Sequence, residues 1–163
     1  MIDYDYRWGS HLPILTTLVL TTDGAILEVG MGLYSTPILH WMCFNDKREL
    51  VSYDNEPEFF DMNKQYENDY HKVSLVKDWN IPIDRKWDLA LVDQRPSQSR
   101  IDTIRKLANN TNYIVVHDTQ RNKRFCDFES IYPLFKYRYT YTKTSPQTTV
   151  LSNFKDLSFL NEL

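Results

Sequence analysis

The chain has 163 residues, of which 42% are hydrophobic and 25% charged, with a formal net charge of −3. That length suits one domain with a real core, so 1–163 reads as a single domain. The weak acidity, without a long basic run, argues against a nucleic-acid binder that works by neutralising phosphates. Residues 10–21 read as a helix, with Ser10 as N-cap and Pro13 in the first turn. Residues 25–29 are an apolar strand, 36–44 a crossover helix, and 49–53 a second strand ending at Asp54. A helix follows over 57–66, with Phe59, Phe60 and Met62 as candidate core residues. Further strands are expected at 72–76, 87–92 and 113–116, and a helix at 100–109 turns Ile101, Ile104, Leu107 and Ala108 to one side. Strands separated by helices imply right-handed crossovers and a mostly parallel sheet. Residues 134–141 alternate strictly, with Phe135, Tyr137, Tyr139 and Tyr141 on one face; a turn through Pro146 leads to a last strand at 148–151 and an antiparallel end. The basic cluster Arg121-Asn122-Lys123-Arg124 reads as a solvated loop, and Cys43 and Cys126 as reduced core thiols. No signal-peptide pattern or membrane-length apolar run is present, so a cytoplasmic protein without membrane contact is expected.

Gly30 and Gly32 lie in Ala25-Ile26-Leu27-Glu28-Val29-Gly30-Met31-Gly32-Leu33-Tyr34-Ser35-Thr36-Pro37. This is a strand, a Gly-x-Gly turn and a helix start, a turn that lets a ligand approach the backbone closely. The carboxylate of Glu28 would repel a pyrophosphate and attract an ammonium group. A dinucleotide fingerprint also wants a third glycine at position 35, where this chain has Ser35.

Glu-Val-Gly-Met-Gly resembles motif I of the class I S-adenosylmethionine (SAM)-dependent methyltransferases, with Tyr34 in place of the family's usual third glycine. In that family the acidic residue holds the amino group of the methionine moiety, directly or through water. The resemblance covers nearly the whole chain. It implies a Rossmann-like three-layer αβα sandwich: a mostly parallel seven-stranded sheet ending in an antiparallel hairpin. It also implies that residues 1–22 form a segment and helix covering the cofactor site, with Trp8 or Tyr34 facing the sulfonium and Arg7 reaching the methionine carboxylate.

In an open α/β sheet, ligands bind at the carboxyl ends of the strands. A carboxylate stands at each expected end: Glu28, Asp54, Asp78, Asp93 and Asp118. Asp54 lies at the right distance beyond Gly30 to accept ribose hydroxyls, with Asn55 and Glu56 as weaker candidates. The resemblance places Asp78 and Trp79 near adenine, and Asp93 beside the transferring methyl group. Gln94, Arg95 and Pro96 follow it at the acceptor, where Arg95 would hold an anionic group. His117 ends the next strand, beside Asp118, and suits a general base at neutral pH. The alternative is a divalent cation such as Mg²⁺ on Asp93 and Asp118, as in some small-molecule O-methyltransferases.

The reading is a SAM-dependent methyltransferase acting on an oxygen or nitrogen of a small polar, sugar-like molecule, with room left for a homo-oligomer. The rivals are a nucleotide-binding Rossmann oxidoreductase, and a catalytically inactive interaction module that would use the aromatic face at 135–141 as its partner surface.

Overall fold

A computed structural model of the protein describes residues 5–120 and 126–163, so Tyr4 and the basic cluster 121–124 lie outside the described residues. The described chain forms one seven-stranded sheet flanked by helices. Its strands are β1 (Ile26–Val29), β2 (Leu50–Asp54), β3 (His71–Leu75), β4 (Trp87–Val92), β5 (Thr111–His117), β6 (Tyr137–Tyr141) and β7 (Thr148–Ser152). Their spatial order is β3-β2-β1-β4-β5-β7-β6. The first five pair in parallel, and β7 runs antiparallel between β5 and β6. This is the architecture expected from the sequence.

The reason lies in side-chain pattern. Strands covered on both faces become unbroken apolar runs. In β1, every residue of Ile-Leu-Glu-Val is buried, as is every residue of β7, and β2, β4 and β5 each have a single half-buried position. Edge strand β6 instead alternates between half-buried and exposed positions.

One sheet face packs Ile26, Leu50, Leu89, Leu91 and Val115 against Ile14, Leu15 and Leu18 of α1 (Leu12–Leu20) and Leu39 and Cys43 of α2 (Ser35–Phe44). The other packs Leu27, Val29, Ala90, Val92, Ile114 and Val116 against Ile104 and Leu107 of α4 (Ser99–Leu107). No helix among the described residues is long and apolar enough to cross a membrane.

Several local expectations are corrected. α1 begins at Leu12 with His11 in the N-cap position, because the Ser10 hydroxyl is engaged elsewhere. The third helix, α3 (Pro57–Asn63), gives way to a 3₁₀ turn at Lys64–Tyr66. Phe59, Phe60 and Met62 are only half-buried, since α3 sits at the rim of a cavity rather than over the sheet. Tyr137, Tyr139 and Tyr141 pack toward Leu157 and Leu160 of the C-terminal segment, Tyr141 buried and the other two half-buried, while Phe135 packs against the opposite core.

Candidate functional site

A cavity of about 360 Å³ opens at the carboxyl ends of β1, β2, β4 and β5. Its walls come from the glycine loop, the ends of β2, β4 and β5, α3, and the N-terminal segment.

The loop after β1 is shaped by Gly30. Its φ of +97° suits glycine, and an added Cβ would lie 2.5 Å from the Gln94 backbone nitrogen. Gly30 therefore lets the chains leaving β1 and β4 touch, while Gly32 and Tyr34 line the cavity. The Met31 N–H donates to Asp54 Oδ2 at 2.6 Å, and the Glu56 N–H to Oδ1 at 2.7 Å. Asp54 is 4% exposed and lines the cavity; burial pushes its carboxyl up to about 6 against these two hydrogen bonds.

Glu28 does not line the cavity. It is fully buried beneath the loop, accepting from Ser52 Oγ at 2.6 Å and Thr36 Oγ1 at 3.0 Å. Burial pushes it up to about 7, which the hydroxyl donors around it only partly offset. The network runs on. With the Ser52 proton given to Glu28, His71 Nε2–H donates to Ser52 Oγ at 2.9 Å. That leaves His71 Nδ1 to accept from His40 Nδ1–H at 3.1 Å, and His40 Nε2 to accept from the Tyr70 hydroxyl at 3.2 Å. His40 and His71, given no role by the sequence, thus join Glu28 to the sheet edge.

Other expected cofactor residues are not brought in. β3 ends at Leu75, and exposed Asp78 accepts from its own turn at Asn80 N. Trp79 packs against the core and donates from Nε1 to the Arg95 carbonyl at 2.7 Å. Neither lines the cavity, nor does Asn55; Glu56, the weaker candidate, does.

On the β4–β5 side, Asp93, Arg95, His117 and Asp118 all line the cavity. Asp93 is held by Arg100, whose guanidinium reaches Oδ1 at 2.7 Å and also donates to the carbonyls of Asp93, Gln94 and His117. Burial works to raise the Asp93 carboxyl, but Arg100 and His117 outweigh it and hold it well below the ordinary carboxylate range. His117 lies with Nδ1 3.1 Å from Asp93 Oδ2 and Nε2 2.8 Å from Ser10 Oγ. Both ring nitrogens are engaged, so His117 has none open to take a proton from an acceptor. Asp118 has a left-handed backbone, φ +59°, and is not among the three residues, His11, Asp93 and His117, whose donor atoms cluster within 4.8 Å.

Two residues were missed. Arg100 shares the core-facing phase of α4 with Thr103, Ile104 and Leu107, and a cation in that phase is a readable signal. His11 is 2% exposed, lines the cavity and packs edge-on against His117 at 4.7 Å; burial pushes it down to about 4. Nothing in the spacing around His11 announces it. Trp8 meets Phe59 edge-on at 6.5 Å across the cavity mouth, with Arg7 held by Asp5 beside it.

Similar folds occur among solved structures. A putative O-methyltransferase from Klebsiella pneumoniae superposes with a TM-score of 0.65 at 14% identity, over 93% of this chain and 82% of that one. The N-methyltransferase NodS from Bradyrhizobium japonicum gives 0.61 at 12% identity, over 94% and 100%. The fold is that of the class I methyltransferases. The O-methyltransferase TomG from Streptomyces achromogenes, solved with SAM, gives 0.58 at 15% identity, over 95% and 92%. No protein-family model and no curated protein matches the sequence. At these identities the likeness establishes the fold, and activity has to be argued from the site.

Proposed function

We propose that the protein binds SAM in this cavity and directs its methyl group to an oxygen or nitrogen of a small polar acceptor. The observation that carries the reading is the Met31–Asp54 hydrogen bond, which joins the glycine loop and the end of β2 into one wall. The residues fit the ligand. Each Asp54 oxygen keeps acceptor capacity after taking one backbone N–H, enough for a pair of ribose hydroxyls. The loop meets the cavity at Gly32, whose lack of a side chain lets a ligand approach its backbone, while Gly30 sets the turn against Gln94.

When bound, SAM supplies an already reactive methyl sulfonium, so the protein's task is to position it. Tyr34 and Trp8 offer aromatic faces to a cation, a contact worth ~0.5–2 kcal/mol. Arg7 lines the same wall and suits the methionine carboxylate. Glu28 acts from beneath, through Thr36, whose hydroxyl accepts the Gly32 N–H at 3.0 Å. Arg100 holds Asp93 at the acceptor side, and exposed Arg95 lies over the Phe59 ring at 5.8 Å. Asp118, Gln120 and Arg95 make that side polar, which suits a polar acceptor.

Calorimetric titration with SAM, its demethylated product S-adenosylhomocysteine and NAD tests the reading. Binding of the first two and not of NAD is expected. NAD binding without SAM binding would overturn it in favour of a nucleotide-binding oxidoreductase.

A further inference from the structure

The donor atoms of His11, Asp93 and His117 all lie within 4.8 Å of one another. Proton accounting shows what this cluster lacks. Ser10 has one hydroxyl proton, and the Pro146 carbonyl takes it at 2.8 Å. Ser10 Oγ therefore accepts from His117 Nε2, which must carry the imidazole proton. That leaves Nδ1 facing Asp93 Oδ2 at 3.1 Å. Two such atoms at that distance are bridged either by a proton on Nδ1, which makes His117 a donor to Asp93, or by a metal ion.

His11 adds an independent observation. Its ring is 2% exposed, and neither Nδ1 nor Nε2 has a hydrogen-bond partner. Buried polar atoms are rarely left so. The ring belongs to the cavity wall, on the side where it meets His117.

We propose that His11, Asp93 and His117 are three ligands of a first-row transition-metal dication of the Zn²⁺ or Co²⁺ kind, open on its remaining side toward the cavity. Two imidazoles and one carboxylate suit such ions, whereas Mg²⁺ and Ca²⁺ prefer oxygen ligands. Arg100 sharpens the choice. Its guanidinium already pairs with Asp93 Oδ1, so an ion held by charge alone gains little there. The surrounding bonds have the form that supports a metal centre: Ser10 and the Pro146 carbonyl set the His117 tautomer, and Arg100 aims Asp93 Oδ2. The cluster borders the cavity proposed for SAM, but metal uptake and SAM binding are measured separately, so either reading can fail alone.

The test uses the full chain, stripped with a chelator and titrated separately with Zn²⁺, Co²⁺ and Mg²⁺ by calorimetry. One equivalent of Zn²⁺ or Co²⁺ is expected, with no Mg²⁺ uptake. His11→Ala and Asp93→Asn, checked for folding by circular dichroism, should each weaken Zn²⁺ by about tenfold or more. Should a variant not fold, paramagnetic Co²⁺ in the unsubstituted chain should shift the ring protons of two histidines, His11 and His117, and spare His40 and His71. Absence of Zn²⁺ and Co²⁺ uptake would mean that a proton fills the His117–Asp93 gap, overturning the proposal. Mg²⁺ preference, Zn²⁺ uptake unchanged in a folded His11→Ala, or Co²⁺ shifts centred on His40 and His71 would overturn it equally.

Discussion

Replacing Glu28 with glutamine should make the protein more stable at pH 8 while leaving it little changed near pH 5. The Glu28 carboxyl sits with no solvent exposure and is pushed from 4.5 to about 7. A carboxyl raised in the folded state contributes stability that is whole below its unfolded value and is lost as pH rises through the folded one. The window here is therefore roughly pH 4.5 to 7, and folding weakens upward across it. At 1.36 kcal/mol per pH unit, the gap amounts to about 3 kcal/mol at most. Glutamine resembles the protonated acid in size and keeps one acceptor for the Ser52 or Thr36 hydroxyl. Much of that penalty should vanish at pH 8, less the cost of one rearranged hydrogen bond of about 1 kcal/mol. Urea unfolding at pH 5 and pH 8 measures it. Asp54, also raised by burial, leaves a smaller slope of the same sign in the variant. An unchanged difference between the two pH values would show that Glu28 is ionised throughout, and would refute the argument from its burial.

Asp54→Asn should weaken SAM and S-adenosylhomocysteine alike, by ~1–3 kcal/mol, because charge-assisted acceptance from ribose hydroxyls is lost; calorimetry on the folded variant measures this, and unaltered affinity would remove Asp54 from the site. Gly30→Ala should cost about 3 kcal/mol, from left-handed strain and a Cβ driven into the Gln94 backbone, with a matching drop in the urea midpoint. Arg100→Met should destabilise by about 3–5 kcal/mol, as breaking a buried ion pair does, and Arg100→Lys should recover only part of that because lysine lacks the fork that reaches Asp93 and the carbonyls together. Thermal unfolding of the pair separates charge from geometry.

The sheet was legible because its central strands are covered on both sides. Leu27, Val29, Ala90, Val92, Ile114 and Val116 serve one face and Ile26, Leu89, Leu91 and Val115 the other, and no polar alternation interrupts them. The strand-end rule then found Asp54, Asp93, His117 and Asp118 at the cavity. It failed at Asp78, where the strand stops at Leu75 and the acid serves its own turn. It also overreached at Glu28: a strand side chain points across the sheet, and here it points under α2 to Thr36 rather than out of the strand's end. The helix pattern at 57–66 misled for a related reason. An aromatic residue at a cavity rim has the same periodicity as one in a core, and Phe59 is of the first kind. His11 was illegible because its importance comes from a residue 106 positions away, His117, that only folding brings beside it.

Arg100 reaches the ends of β4 and β5 from a helix on the far side of the sheet. The position of Asp93 is thus set by the scaffold, not by the loops that border the acceptor. The loop after Gln94 is anchored at Trp79 through the Arg95 carbonyl, so exchange is best confined to its exposed side chains. Replacing exposed side chains after Gln94 and after Asp118 would change what the rim recognises while Asp93 keeps its place, so this small domain offers a chassis on which acceptor choice can be redesigned separately from the chemistry beneath it.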